Sequence, residues 1–175
     1  MAFLSSVLST TYKCKNCVFL LPDSVINQNM AYGGKYIVKN VSKYLGDPSK
    51  VRFRSLWENA AFKFLEASPQ VKYWSSETAI VPYICKTDGQ RHNYFIDLKI
   101  VMTDGRTFFI EIKPKSQTRE PKVQKRKTKA YINEVLTYVK NISKWEAAKE
   151  YALDRNATFA IWTEDTLREM GIKIL

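Results

Sequence analysis

The stretch Asn93–Lys113 constrains this chain most, because it reads as two strands and the turn between them: NYFIDLKIVM, TDG, RTFFIEIK. Tyr94, Ile96, Leu98 and Ile100 alternate with Phe95, Asp97, Lys99 and Val101, and Phe108, Ile110 and Ile112 alternate with Phe109, Glu111 and Lys113. Period-two patterning on both sides of Asp104-Gly105 predicts a β-hairpin. Loop length decides where the charges fall. A two-residue Asp-Gly turn pairs Thr103 with Arg106 and puts Asp97 and Glu111 on opposite faces. A three-residue Thr103-Asp104-Gly105 loop, with Gly105 left-handed in a G1 bulge, pairs Met102 with Arg106. Asp97 then lies directly opposite Glu111, with Lys113 two residues on and on the same face. Opposed carboxylates repel unless positive charge sits between them. A divalent metal supplies that charge, and hard oxygen ligands suit magnesium. The longer loop is expected on that ground; the competing possibility is an amphipathic hairpin with a solvated polar face.

A chain of 175 residues is long enough for one domain with a real core. Its 45% hydrophobic and 13% aromatic content excludes disorder for the bulk of it. The net charge of +11 and a pI near 9.5 point to a polyanionic partner, nucleic acid before membrane, or else to a merely basic soluble protein. Three cysteines give no disulfide framework and fit a reducing cytosolic compartment. Cys14 and Cys17 are spaced as zinc ligands, but only Cys85 and the single His92 could complete such a site, far down the chain. No apolar run reaches the length of a membrane span. Residues 1–31 are poorly patterned and are expected to form an N-terminal extension or arm ahead of a domain over 32–175.

Before the hairpin, Ser55 is an N-cap for a helix over Leu56–Ala67, with Leu56, Ala60, Ala61, Phe62, Phe64 and Leu65 on its apolar face. Glu58, three residues after Ser55, has an ordinary explanation as a capping-box acid. Arg52 and Arg54 just ahead of it are placed to contact phosphate. Val71–Glu77 leads into Thr78–Tyr83, expected as the first sheet strand, with Pro82 marking an edge or an end. Glu77 reads as a solvated strand-end acid or an extra site acid, and His92 as a surface or DNA-contacting residue.

After Lys113 comes a basic run, with eight Lys/Arg from Lys113 to Lys129 against the single acid Glu120. Lys115 and Gln117 are near enough in sequence to reach a phosphate at the site, and Lys125, Arg126 and Lys127 are expected to track a DNA backbone. Two helices are expected next, Ala130–Val139 and Lys144–Leu153, divided at Asn141-Ile142-Ser143, with Ser143 and Glu146 as a second capping box. Thr158–Trp162 reads as a buried strand, and Thr163 as the cap of a short helix that Gly171 stops. The order helix, strands, helix, strand predicts an α/β fold with a mixed central sheet flanked by helices.

Asp97, thirteen residues, then Glu111-Ile112-Lys113 resembles the core of the PD-(D/E)XK nucleases, with Ile96 where the proline of that name or a small residue stands. Further stretches extend the likeness over about Tyr32–Leu167: Gly34-Lys35-Tyr36, Lys43-Tyr44-Leu45-Gly46, Phe53-Arg54-Ser55-Leu56-Trp57-Glu58, Trp74-Ser75-Ser76-Glu77, Val81-Pro82-Tyr83, Asn141 with Lys144-Trp145, and Ile161-Trp162-Thr163-Glu164-Asp165. Together they resemble the head completion nuclease family of T4-like tailed phages, itself similar to the TnsA-type transposon endonucleases. The resemblance implies a restriction-endonuclease-like core and hydrolysis of double-stranded DNA. It implies Mg²⁺, or Mn²⁺ in its place, held by Asp97, Glu111 and the Ile112 carbonyl with Glu58 completing the site, and Lys113 acting on the attacking water. It also implies docking to portal or neck proteins of the filled head, in the host cytoplasm during assembly or in the virion itself. Two alternatives stay open: a structural DNA-binding head or neck protein with a vestigial site, and a TnsA-like, repair or restriction endonuclease.

Overall fold

The computed structural model describes residues 33–174; the expected arm and the Cys14/Cys17 pair lie outside them. A two-stranded ribbon, β1 (Gly34–Lys35) with β2 (Arg52–Phe53), comes first, followed by α1 (Leu56–Ala67). Six more strands follow: β3 (Val71–Ser76), β4 (Ile80–Ile84), β5 (Arg91–Phe95), β6 (Leu98–Met102), β7 (Thr107–Ile112) and, after the long helix α2 (Lys129–Leu153), β8 (Thr158–Trp162). The short α3 (Glu164–Glu169) ends at the left-handed Gly171.

The main sheet has the order β3-β6-β7-β8, antiparallel except for the parallel β7–β8 pair that α2 connects. This is the expected mixed sheet between helices. Phe62 and Leu65 of α1 cover one face over Trp74, Leu98, Ile100 and Ile110. Ala148 and Ala152 of α2 cover the other over Phe109. β4 and β5 form a separate ribbon whose inward residues Val81, Tyr83, Tyr94 and Ile96 join the core beneath α2.

Several local expectations are corrected. The strand expected to run unbroken through Asn93–Met102 is two strands, with Ile96 and Asp97 at the break. Tyr94 and Ile96 pack on the α2 side and Leu98 and Ile100 on the α1 side, so the chain changes layers there. The outer strand of the main sheet is Val71–Ser76, while the stretch expected as the first sheet strand belongs to the ribbon. Asn141-Ile142-Ser143 does not divide α2. Ser143 Oγ donates to the Val139 carbonyl four residues back, satisfying the hydroxyl within one continuous helix that Thr128 caps. Glu146 pairs with Lys86 on the ribbon rather than forming a capping box. Leu56 lies 38% exposed, outside the apolar face of α1. β8 is half-buried, as befits an edge strand.

Candidate active site

The β6–β7 hairpin has the three-residue loop. The Met102 N–H donates to the Arg106 carbonyl at 2.8 Å, the Gly105 N–H to the Met102 carbonyl at 3.1 Å, and Gly105 has φ +92°. Lys99 pairs with Phe109 and Leu98 with Ile110, so Asp97 and Glu111 are the next positions along. The ladder stops there. In its place the Asp97 carboxylate accepts the Ile112 N–H at 2.8 Å, leaving its other oxygen uncommitted. Glu77, at φ +53°, donates its N–H to the Asp97 carbonyl, so a strained non-glycine residue pins the Asp97 main chain.

Glu111 is 2% exposed. One carboxylate oxygen accepts the Tyr94 hydroxyl at 2.6 Å, and the other lies 3.3 Å from Lys113 Nζ. The Lys113 N–H donates to the Trp162 carbonyl, which holds this lysine where β7 leaves the sheet. Burial, and then the charge of Glu111 facing it, raise the Asp97 pKa well above the ordinary carboxylate range. For Lys113, burial works against the charged amine, but the Glu111, Asp97 and Glu58 carboxylates outweigh it and raise its pKa. Tyr94, buried against Glu111, has its phenol pKa pushed well above the usual value.

Glu58 occupies the first turn of α1 because Ser55 caps it: the Glu58 N–H donates to Ser55 Oγ, and the Glu58 carboxylate accepts from Ser55 Oγ and the Arg54 N–H. The capping role is therefore real. Its carboxylate is also within electrostatic reach of Asp97 and Lys113, and burial, reinforced by the charge of Glu77, raises its pKa. One glutamate thus serves both the helix end and the polar cluster.

The donors fit a hard divalent cation. Two carboxylates, one buried and one half-buried, lie within electrostatic reach of each other, with Lys113 against Glu111 and Lys144 farther off to offset them, and hard oxygen donors of this kind suit such an ion. Glu58, Asp97 and Glu111 do not close within 4.8 Å of one another as a three-ligand set. Asp97 and Glu111 are therefore the pair the register offers to an ion, with Glu58 at its margin.

The phosphate-contact candidates divide. Arg52 is exposed on β2, and Lys125, Arg126 and Lys127 are exposed ahead of α2. Gln117 is exposed in a short 3₁₀ turn beyond β7. Arg54 pairs with Glu77 at 2.7 Å, and Lys115 pairs with Asp165 while its N–H donates to Glu164. These last two are committed to neighbouring acids. His92 pairs with Asp88 at the far end of the ribbon.

Two residues were missed. Tyr94 reads in the sequence as one more inward position of an alternating strand, and nothing there shows that its hydroxyl meets Glu111. Lys144, on α2, lies 5.4 Å over the Tyr94 ring, and burial lowers its pKa against the opposing pull of Glu111. Its only sequence signal was the Lys144-Trp145 likeness.

Opposed acids at a strand break, with a lysine leaving the sheet beside them, define a class when carried on this mixed sheet: the TnsA-like endonucleases. The family described as TnsA-like endonuclease N terminal matches residues 68–164, and the chain belongs to it. The match takes in Asp97, Glu111 and Lys113, while Glu58 lies ahead of it. Within that class, the chain is 44% identical over 148 residues to the Head completion nuclease of Enterobacteria phage T4, across 82% of this chain and 99% of that protein.

Proposed function

We propose that this protein is a divalent-metal-dependent endodeoxyribonuclease of phage head completion. It hydrolyses phosphodiester bonds of double-stranded DNA after packaging and stabilises the filled head before tail joining. It works in the host cytoplasm during assembly, at the portal or neck. The observation that carries the chemistry is Asp97, one residue beyond the last ladder pair and within electrostatic reach of the buried Glu111, with Lys113 3.3 Å from Glu111. The biological setting rests on the likeness to the T4 protein.

Asp97 and Glu111 would hold Mg²⁺ or Mn²⁺, which supplies Lewis-acid polarisation of the scissile phosphoryl group and a more acidic water. Tyr94 keeps Glu111 in one rotamer by donating to it, and the Ile112 N–H does the same for Asp97. Lys113, kept protonated by three carboxylates, orients the attacking water by donation and offsets the charge that develops on phosphorus oxygens. Glu58, at the margin of the pair, would complete the site by accepting a hydrogen bond from that water. The basic stretch Lys125–Lys127 binds the DNA backbone without reading sequence.

Cleavage of linear and supercoiled duplex DNA with Mg²⁺ tests this, wild type beside Asp97→Ala and Lys113→Ala. Both substitutions are expected to abolish cleavage while leaving folding and DNA binding intact. Salt-sensitive DNA binding with no cleavage in Mg²⁺ or Mn²⁺ would replace the nuclease with a structural head protein. Cleavage that survives both substitutions would place the site elsewhere.

A further inference from the structure

The tip of the β4–β5 ribbon carries a second cluster of ligand-type side chains that the nuclease chemistry does not use. Cys85, Asp88 and His92 each bring one donor atom, and the three lie within 4.8 Å of one another. Their convergence is built into the turn. The Asp88 and Gly89 N–H groups both donate to the Cys85 carbonyl, the Cys85 N–H donates to the Gln90 carbonyl, and Gly89 takes φ +68°. Cys85-Lys86-Thr87-Asp88-Gly89 is thus a knuckle that presents residues 85 and 88 to the same side. On the paired strand, His92 sits opposite Tyr83, whose ring lies 5.8 Å from the imidazole and limits its swing.

We propose that Cys85, Asp88 and His92 bind one zinc-class ion that fastens the ribbon tip, with water in the fourth position. A thiolate, a carboxylate and an imidazole are a zinc donor set; the sulfur disfavours magnesium and calcium. Tetrahedral zinc at ordinary bond lengths spaces its donors roughly 3.2–3.6 Å apart. His92 and Asp88 already stand 2.9 Å apart, so closing the set needs only side-chain adjustment. Cys85 is fully buried while Asp88 is exposed and His92 half-buried, so the ion enters from the Asp88–His92 side and meets the thiol from there. The site is separate from Asp97 and Glu111 and does not depend on the nuclease assignment. The two are linked mechanically. His92 and Tyr94 are two residues apart on one face of β5, about 7 Å, and Lys86 beside Cys85 ties the same tip to Ser143 and Glu146 of α2.

The test is cobalt titration of the metal-stripped full chain carrying Cys14→Ser and Cys17→Ser, so that Cys85 is the sole thiol. One equivalent of Co²⁺ should give a thiolate-to-cobalt charge-transfer band that Zn²⁺ displaces; cobalt held by carboxylates alone gives no such band. His92→Ala and Asp88→Ala, neither in the core, should each weaken the cobalt binding read by that band about tenfold or more and, in a parent that also carries Asp97→Asn, abolish the rise in melting temperature that zinc gives. Absence of the band with cobalt in excess, or a band of unchanged affinity in both variants, would overturn the proposal.

Discussion

Replacing Asp97 by Asn isolates the cost of holding two carboxylates face to face. Directly opposed strand positions bring side chains about 5 Å apart. At an effective dielectric constant of about 20, two unit charges at that separation repel by about 3 kcal/mol. Lys113 beside Glu111 offsets part of this, and the Asn oxygen still accepts the Ile112 N–H. Asp97→Asn is therefore expected to stabilise the metal-free protein by about 1–2 kcal/mol at pH 7, which for a chain of this size raises the melting temperature by about 2–8 °C. The effect fades with the acid's protonation. The folded pKa of Asp97 lies above its unfolded value, so its contribution is present at low pH and lost as pH rises through the folded value. The advantage of the variant should shrink toward pH 4 and reach its full size once Asp97 is ionised. Mg²⁺ should stabilise the wild type, by about 2.7 kcal/mol at a hundred times its dissociation constant, and the variant much less, while the variant no longer cleaves DNA. Thermal melts followed by circular dichroism at pH 4, 5.5 and 7, in chelator and in Mg²⁺, measure all of this. A variant that melts at or below wild type at pH 7 in chelator, or whose advantage persists unchanged at pH 4, would refute the electrostatic account.

Tyr94→Phe removes the donor to a buried carboxylate and should cost about 1.5–3 kcal/mol in urea unfolding, with slower cleavage at saturating Mg²⁺. Changing Lys125, Arg126 and Lys127 together to Ala should lower the salt slope of DNA binding by about 3, leaving cleavage intact at low salt; fluorescence anisotropy across a salt series measures the slope. Lys144→Met removes a cation within electrostatic reach of Glu111 and Asp97 and should slow cleavage about tenfold or more, and Lys144→Arg should restore part of it, with pre-steady-state rates separating this effect from weaker DNA binding.

The parts of the site legible in the sequence were those that follow from counting along one local element. The three-residue loop sets the register that ends at Leu98 and Ile110, with Asp97 and Glu111 the next positions along, and the first turn of a capped helix puts Glu58 where it is. What escaped depended on choices that packing makes between locally equivalent options. Alternation runs unbroken through Tyr94, Ile96 and Leu98, so it could not reveal that the chain leaves one layer and enters another between them. Ser143 serves equally well as a cap or bonded to a carbonyl four residues back; burial of Asn141, Ser143, Trp145 and Ala148 along one helix selects the second. Tyr94 and Lys144 gain their meaning only from Glu111, which is 17 residues from the first and 33 from the second.

The three-residue loop also governs how such a site can vary in length. The thirteen residues between Asp97 and Glu111 are five from each arm and three from the turn. Adding one residue to both arms moves the two acids together and keeps them opposed, so eleven, thirteen and fifteen are interchangeable spacers. A net gain of one residue sends the acids to opposite faces unless the turn shortens to two residues or a new bulge absorbs the change. Insertions are thus filtered by parity. A divergent relative with an even spacer should carry a rebuilt turn or a bulged strand, and the parity of its spacer alone is enough to say so.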